Sequence, residues 1–540
     1  MKINKKIVKI SIALLAVLAF STSCTDFLEE QPSTSIDAGY VYNTEDGLRS
    51  GIVSLYKFNR QQYEYGDQDF LAANFLQSRN DLNLSRTGYL GLVGRYQRAV
   101  SATDFGTKLM SKFFWKHHYR IASKATELIN AAETLDGLDE DVKNEVIAQA
   151  KFFRAHSYFT LYRMFNNITI KSLSGDHVFD VIEDKSSEEE IFTLLNSDLS
   201  FAIEHLEWSP VFGRISKGAA KHVKAKVAMW QGDWTEAKAQ AESLINEGPH
   251  SLVETTAKVF DGNMNNTEQL FVIQYAEDIT GGSKENMINA NYLVKHWKAD
   301  AGENTTDFTQ AYGGVGFARL LPNHYLLGLL AEDENDTRDD NTYFRLKYYY
   351  DAGPRSGEVN DTYTNVTFDE ATGKYIPSSS YIKFLERLNP SCLKFANEEN
   401  DPTTYWQINN IMIYRLAETY LIAAEANMRG GGDALLYINA VRERAGAAPL
   451  TSVDEKAILD ERARELAFEG QRWFTLKRMG QSVMNHQMKT YSGDGEFVPA
   501  YFDGEKDPRV NWQDHFINFP IPQIDLDLLG NNYPQNAGYE

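Results

Sequence analysis

Between Glu455 and Gly480 the chain reads EKAILDERARELAFEGQRWFTLKRMG, and no other stretch restricts its folding as much. Ile458, Leu459, Ala463, Leu466 and Ala467 fall on one helical stripe, with Glu461, Arg462, Arg464 and Glu465 within i,i+3 or i,i+4 reach of one another. Gly470 suits the end of that helix because glycine takes positive φ without a steric penalty. Gln471 to Met479 then carries Trp473, Phe474, Leu476 and Met479 on a second helix. Two amphipathic helices with so short a link pack as a hairpin. Charges beside that much apolar surface predict part-buried salt bridges, which hold geometry more than they add stability. The stretch therefore reads as scaffold rather than as an active site.

The N-terminus sets the compartment. Lys2, Lys5, Lys6 and Lys9 precede the apolar run Ile10 to Phe20, and the small residues Ser21, Thr22 and Ser23 lead to Cys24. That is an export signal over residues 1–23, too short to span a bilayer, which takes about 20 apolar residues. Cys24 stands where the signal would be cut and is the expected lipidation site. A multiply acylated cysteine holds a protein on a membrane at about 0.8 kcal/mol per buried CH₂. Cys24 and Cys392 are the only cysteines, so stability does not rest on disulfides.

The formal net charge is −21, and loss of the signal lysines makes the mature part more acidic still. Such a chain repels nucleic-acid phosphates and anionic lipid surfaces, so nucleic acid is not an expected partner. Aromatic residues make up 12% of the chain, a supply suited to stacking on sugar faces or peptide side chains as well as to core packing.

Helical periodicity covers Thr44 to Arg60, with Thr44 as N-cap, then Ser111 to Leu135, Val142 to Phe165, and Ile191 to His205. Between the first two of these, Phe75 to Gln97 mixes Arg79, Asn80, Asp81 and Arg86 with Tyr89, Tyr96 and three glycines, and reads as loop. Forked polar donors beside flat rings on a loop are the makings of a sugar-binding edge, so Arg79, Asn80, Asp81, Tyr89 and Tyr96 are ligand candidates; a turn-rich connector is the competing reading. The pair His117-His118 reads as packing or solvent-facing rather than metal-binding. Gly213 to Gly248 sets two helices around Gly232-Asp233-Trp234, with Ala219, Ala220, Ala225, Ala228, Ala237 and Ala241 allowing close approach, and resembles one tetratricopeptide-type hairpin. Trp230 and Trp234 read as packing residues.

Leu252 to Thr404 loses helical period and fills with Gly, Asn, Asp, Thr and Tyr. A stretch this long inside a compact chain is usually functional. Gln269 to Tyr275 and Tyr343 to Tyr350 look like strands. Trp297, Tyr312, Phe317 and Tyr325 form a second group of ligand candidates, provided their ring faces are exposed. Ala331 to Asn341, AEDENDTRDDN, lacks the glycine and glutamate of a calcium loop and reads as an exposed acidic turn. Gly313, Gly314 and Gly316 give only a fragment of a dinucleotide fingerprint, without its βαβ context.

Trp406 to Met428 reads as helical up to Gly430-Gly431-Gly432, after which Asp433 can cap a helix through Arg444. Here a family pattern becomes visible. Glu461-Arg462, Glu465-Leu466, Phe468-Glu469-Gly470, Arg472, Leu476 and Arg478 resemble the C-terminal signature of the SusD/RagB family of surface nutrient-binding lipoproteins, with Thr475 where that family usually has Asp. Cys24-Thr-Asp-Phe-Leu-Glu, RAHSYFTLYRMF, GRISKGAA with GDW, AETYLIAAEA, Asn439 to Gly446, Phe519-Pro520-Ile521-Pro522 and Gln535 to Tyr539 are similar to the same family in order and spacing. The resemblance implies a mainly α fold, a right-handed superhelix of tetratricopeptide-like hairpins, with a large irregular insertion carrying short strands. It implies one domain over 24–540, with scaffold at about 44–250 and 405–480, insertion at about 252–404 and a tail at 481–540. Insertion and early loop together would form the ligand face.

The same resemblance implies a cell-surface, outer-membrane lipoprotein that captures a glycan and delivers it to a SusC-like TonB-dependent transporter, without cofactor or catalysis. A peptide or glycopeptide ligand is the alternative within that scheme. A glycoside hydrolase is the alternative outside it, although no catalytic motif supports one.

Overall fold

Long amphipathic helices joined by short turns pack back along one another, each burying its apolar stripe against the last. The computed structural model describes residues 41–63, 72–86, 88–171, 182, 184–262, 264–276, 286–294, 314–339, 342–346, 366–369, 374–377, 389–396, 403–493, 506–530 and 532–539, and its mainly helical frame obeys that rule. Helix α1 (Glu45–Arg60) rests on α2 (Lys116–Thr134) and α3 (Glu140–Phe165). Then α3 packs on α4 (Glu188–His205), α4 on α5 (Lys217–Gln231), and α5 on α6 (Trp234–Glu247). After the insertion the array resumes with α7 (Leu416–Gly430), which lies directly on α6. It continues through α8 (Ala434–Arg444), α9 (Glu455–Leu466), α10 (Arg472–Met479) and α11 (Gln481–Tyr491).

Local chemistry sets the ends of these helices. Thr44 caps α1 by accepting from Gly47 N at 3.1 Å, and Ser187 and Glu190 form a capping box on α4. Gly232 closes α5 at φ 72°, a left-handed conformation that glycine adopts freely, and Asp233 then caps α6. The alanines expected to permit close approach in α5 and α6 are all fully buried. Trp230 packs edge-on against Phe159 and Tyr162.

Gln269–Ile273 pairs antiparallel with Ile411–Arg415. The insertion therefore leaves and re-enters the frame at one place, which is why α6 and α7 can be neighbours. That pairing also corrects the reading of Trp406 to Met428 as helix: Ile411–Arg415 is strand, and the helix starts at Leu416. An IMIYR run is apolar enough for either state, and the partner strand decides it. The helix expected from Ser111 begins instead at Phe105, capped by Asp104, and passes through one π turn at Ser111–Trp115 before α2. Phe75 to Gln97, read as loop, holds helices Ala72–Ser78 and Gly88–Gly94 around a strand, Asn83–Ser85, that pairs with Leu320–Pro322.

The salt bridges expected from α9 are buried around Glu461 and Glu465, reach the surface where Arg464 meets Glu332, and extend farther than the hairpin. Glu465 accepts from Arg338 at 3.1 Å and Arg415 at 2.6 Å, and also from Arg444. Glu461 accepts from Arg338 at 2.7 Å, Arg442 at 2.8 Å and Arg464 at 3.1 Å. Glu469 takes Lys394 at 2.6 Å and Arg415 at 2.8 Å, Arg415 and Arg444 share Glu268, and Asp336 holds Arg338 at 2.6 Å. Arg338, Lys394 and Glu268 belong to the insertion, so this cluster fastens it to the frame. Its centre overturns half of the exposed acidic turn, because Asp336 and Arg338 are buried and serve the cluster while Glu332, Glu334 and Asn335 stay outside. At the hairpin turn Gly470 has the expected positive φ, but α9 ends earlier, and Phe468 is also left-handed at φ 68°.

Candidate functional site

Within the insertion, a backbone crossing places aromatic rings at the surface. Phe317 N donates to Ala290 O at 2.6 Å and Ala318 N to Leu293 O at 2.8 Å, laying residues 316–319 across Ile288–Tyr292. Gly316 permits that approach: a Cβ there would lie 2.4 Å from the carbonyl oxygens of Leu293 and Val294. This is the packing reason for one of the glycines of the discarded nucleotide-like fragment. A bridge between Asn286 and Gln407, with N–H to O distances of 2.8 and 3.0 Å, brings Tyr405 and Trp406 alongside. The rings of Phe317 and Tyr405 then lie 5.3 Å apart and those of Tyr405 and Trp406 5.0 Å apart, each pair tilted. The Arg319 guanidinium sits 4.6 Å over Phe317 and donates to Asn291 Oδ1 at 2.8 Å. Tyr405 is 37% exposed and its two neighbours are half-buried. The result is a ledge of three rings and one planar cation, apolar on its faces and polar at its edge, which suits flat ligands carrying hydroxyls.

Four of the early candidates, Arg79, Asn80, Asp81 and Tyr96, are buried away from the surface. Arg79 is fully buried, its guanidinium 4.2 Å over Tyr96 and 5.1 Å over Phe519, and it donates to Ala99 O at 3.1 Å. Burial lowers its pKa from the ordinary arginine value. Tyr96 is buried too, stacked 5.4 Å from Phe516, with its hydroxyl donating to Arg79 O at 3.1 Å. Asn80 closes a local turn, donating to Gln77 O and accepting from Leu82 N, both at 2.9 Å. Asp81 forms a buried two-point pair with Arg472 of α10 at 2.6 and 2.8 Å. These four residues are buried parts of the core: Arg79, Tyr96 and Asp81 meet residues far along the chain, and Asn80 holds a local turn. The segment still touches the backbone that carries Phe317: Arg86 N donates to Arg319 O at 2.9 Å, and Arg86 Nε to Ala318 O at 3.2 Å. Tyr89 falls in the helix Gly88–Gly94, with its side chain outside the described residues, where Trp297 and Tyr312 also lie. Tyr325 stacks 4.0 Å from Tyr491 and donates to Asp460 at 3.2 Å, so it packs.

Of the three ledge rings, Phe317 is among the sequence candidates, whereas Tyr405 is not and Trp406 is read there as the start of a helix. The signal was present in the Asn-, Asp- and Thr-rich run that ends in Tyr405-Trp406, a polar approach to two adjacent rings. Among the described residues no group of His, Cys, Asp and Glu is arranged to hold a metal ion. His117 and His118 are buried in packing contacts, and burial lowers the His117 pKa to about 4. Thr475 accepts from Arg462 Nε at 3.2 Å, so a hydrogen bond stands where an aspartate would give an ion pair.

The family model described as the SusD family matches residues 267–539. "SusD-like protein P25" of Formosa agariphila is 27% identical, over 96% of each chain. The "Starch-binding protein SusD" of Bacteroides thetaiotaomicron is 25% identical over 73% of this chain and 72% of its own. A solved "Laminarin binding SusD-like protein" superposes with a TM-score of 0.67 at 21% identity, covering 92% of this chain and 99% of that one, which establishes the fold. With a family match over half its length and relatives that cover nearly all of it, the chain belongs to the SusD family.

Proposed function

We propose that the protein binds a glycan on the ledge of Phe317, Tyr405 and Trp406 and delivers it to a SusC-like TonB-dependent transporter, tethered to the outer membrane through acylated Cys24. The observation that carries this reading is the tilted ring pair of half-buried Phe317 and exposed Tyr405 with Arg319 beside it, on an insertion fastened to the helical frame. Sugar rings present an apolar face and a rim of hydroxyls, the complement of such a ledge. Relatives named for starch and laminarin binding support the ligand class. The tether is supported by the export signal ahead of Cys24, and no helix among the described residues is long and apolar enough to cross a membrane. No catalytic group is required.

The test is migration of the purified protein in native gels cast with different polysaccharides, with each scored for released reducing ends. Retardation that is lost in Tyr405→Ala supports the reading. Removing one stacked ring weakens binding by about 1 kcal/mol, roughly fivefold. Release of reducing ends would replace it with a hydrolase. Absence of retardation with every polysaccharide, together with salt-sensitive binding of cationic peptides, would replace the glycan with a peptide.

A further inference from the structure

A second buried charge cluster lies between α5, α7, α9 and α10, around a cavity of about 20 Å³. Arg163, Lys226, Arg462 and Arg478 line it, and Glu418 is the one carboxylate among its described lining residues. Glu418 takes Lys226 at 2.7 Å and Arg462 at 3.0 Å, with the buried imidazole of His222 at 3.1 Å. Arg478 is satisfied by a two-point pair with Glu425 at 2.6 and 2.8 Å, and Glu425 also holds Arg429 at its outer end. Lys477 stands behind, its ammonium donating to Arg163 O at 2.5 Å.

Arg163 has no carboxylate at all among the described residues. Its guanidinium is sandwiched between the rings of Phe159 at 4.2 Å and Phe474 at 4.0 Å, and its Nε and Nη2 reach Phe159 O and Thr160 Oγ1 at 3.3 and 3.4 Å, with the neutral Tyr414 hydroxyl also beside it. Arg163 Nη1 and Arg462 Nη1 are buried donors without a hydrogen-bond partner among the described residues, and both residues line the same cavity. Orphaned donors ask for an acceptor, and unmatched buried cations ask for a negative one. A cavity that holds one water needs about 15 Å³, so this one admits a single small species and excludes phosphate, sulfate and carboxylates.

We propose that this cavity is a binding site for one small monovalent inorganic anion, chloride under saline conditions, held between Arg163 and Arg462. The anion supplies the acceptor that both guanidinium groups lack and offsets the surplus of positive charge where α3 and α5 meet the C-terminal hairpin. This site is separate from the ledge and does not depend on what the ledge binds.

Crystals of the protein soaked in sodium bromide test it directly. An anomalous bromide peak between Arg163 and Arg462 is the expected result, and its absence at saturating bromide, with water density in its place, would overturn the proposal. In solution at fixed ionic strength, replacing gluconate by chloride should raise the melting temperature by about 2 °C per tenfold chloride. Thr475→Asp, which sets a carboxylate beside Arg462, should abolish that dependence; a melting temperature indifferent to chloride in the unaltered protein would count against the site. If the variant does not fold, the bromide soak on the unaltered protein decides alone.

Discussion

The two buried charge clusters are built from the same residue types, and α9 contributes to both, yet they are balanced differently. Around Glu461 and Glu465, the cations Arg338, Lys394, Arg415, Arg442, Arg444 and Arg464 meet the carboxylates of Glu268, Asp336, Glu461, Glu465 and Glu469, with Glu332 at the rim. Around Arg163 and Glu418, cations outnumber carboxylates, and one of them, Arg163, rests on rings and neutral oxygen acceptors. Burial penalises every one of these ions. In the first cluster burial alone would raise Glu465, but Arg444, Arg415 and Arg338 overcome it and hold the carboxyl far below the usual range. In the second, burial and then the Arg163 charge push Lys477 down to about 7, and burial takes Lys226 to about 7 in spite of Glu418. Several partners together outweigh burial at Glu465, whereas the one carboxylate beside Lys226 does not.

The largest effect should come from unbalancing the balanced cluster. Glu465→Gln removes the carboxylate that Arg338, Arg415 and Arg444 share, leaving a surplus of buried positive charge, and should lower the unfolding free energy by about 3–5 kcal/mol in a urea titration. A loss below about 1 kcal/mol would show that the cluster is not the fastening described above.

Acid should act on the same cluster and on the buried histidines, in two stages. His117 and His156 are held neutral by burial, at about 4 and about 3, so the unfolded chain alone binds protons as pH falls below 6.5. Stability then drops from pH 6.5 toward 4. Glu461 and Glu465 are depressed from 4.5, so their contribution, complete above that value, is lost below it and the drop steepens. Melting temperature against pH reads both stages; a flat profile from 6.5 to 4.5 would contradict the histidine assignment.

Removing a cation from the surplus cluster should cost far less. Lys226→Met leaves Glu418 with Arg462 and His222, and should change stability by about 1 kcal/mol at most in either direction. Above pH 7 the unfolded chain keeps the lysine protons that native Lys226 and Lys477 give up, so stability of the unaltered protein should rise from pH 7 toward 9.5. That slope, followed by thermal melting in gluconate buffer, should be smaller in the variant.

The smallest stability effect belongs to the ledge. Tyr405→Ala removes a ring that is 37% exposed and should shift stability by less than about 0.5 kcal/mol while abolishing or weakening gel retardation. A large loss of stability would mark Tyr405 as a packing residue and move the site elsewhere on the insertion.

The frame was largely legible because helix periodicity and caps are local. Thr44, Asp433 and the Gly232-Asp233 turn act within a few residues of themselves, and each does what its type predicts. The early ligand candidates misled because a polar side chain on a glycine-rich stretch looks exposed until its partners are known. Asp81 meets Arg472, 391 positions away, and Tyr96 meets Phe516. The ledge was half legible for the converse reason: Phe317 was in view within the insertion, but nothing local to Tyr405 and Trp406 tells that a bridge from Asn286 holds them beside it.

What the sequence by itself determined is therefore the set of helices, the ends that chemistry between neighbouring residues fixes, and the ordered motifs that mark the family. Only the tertiary structure decided which charges are matched inside, which polar side chains are struts, and which rings stay at the surface. Helix formation is settled by backbone groups a few residues apart, whereas burial and pairing depend on contacts across hundreds of residues that no short stretch of sequence records.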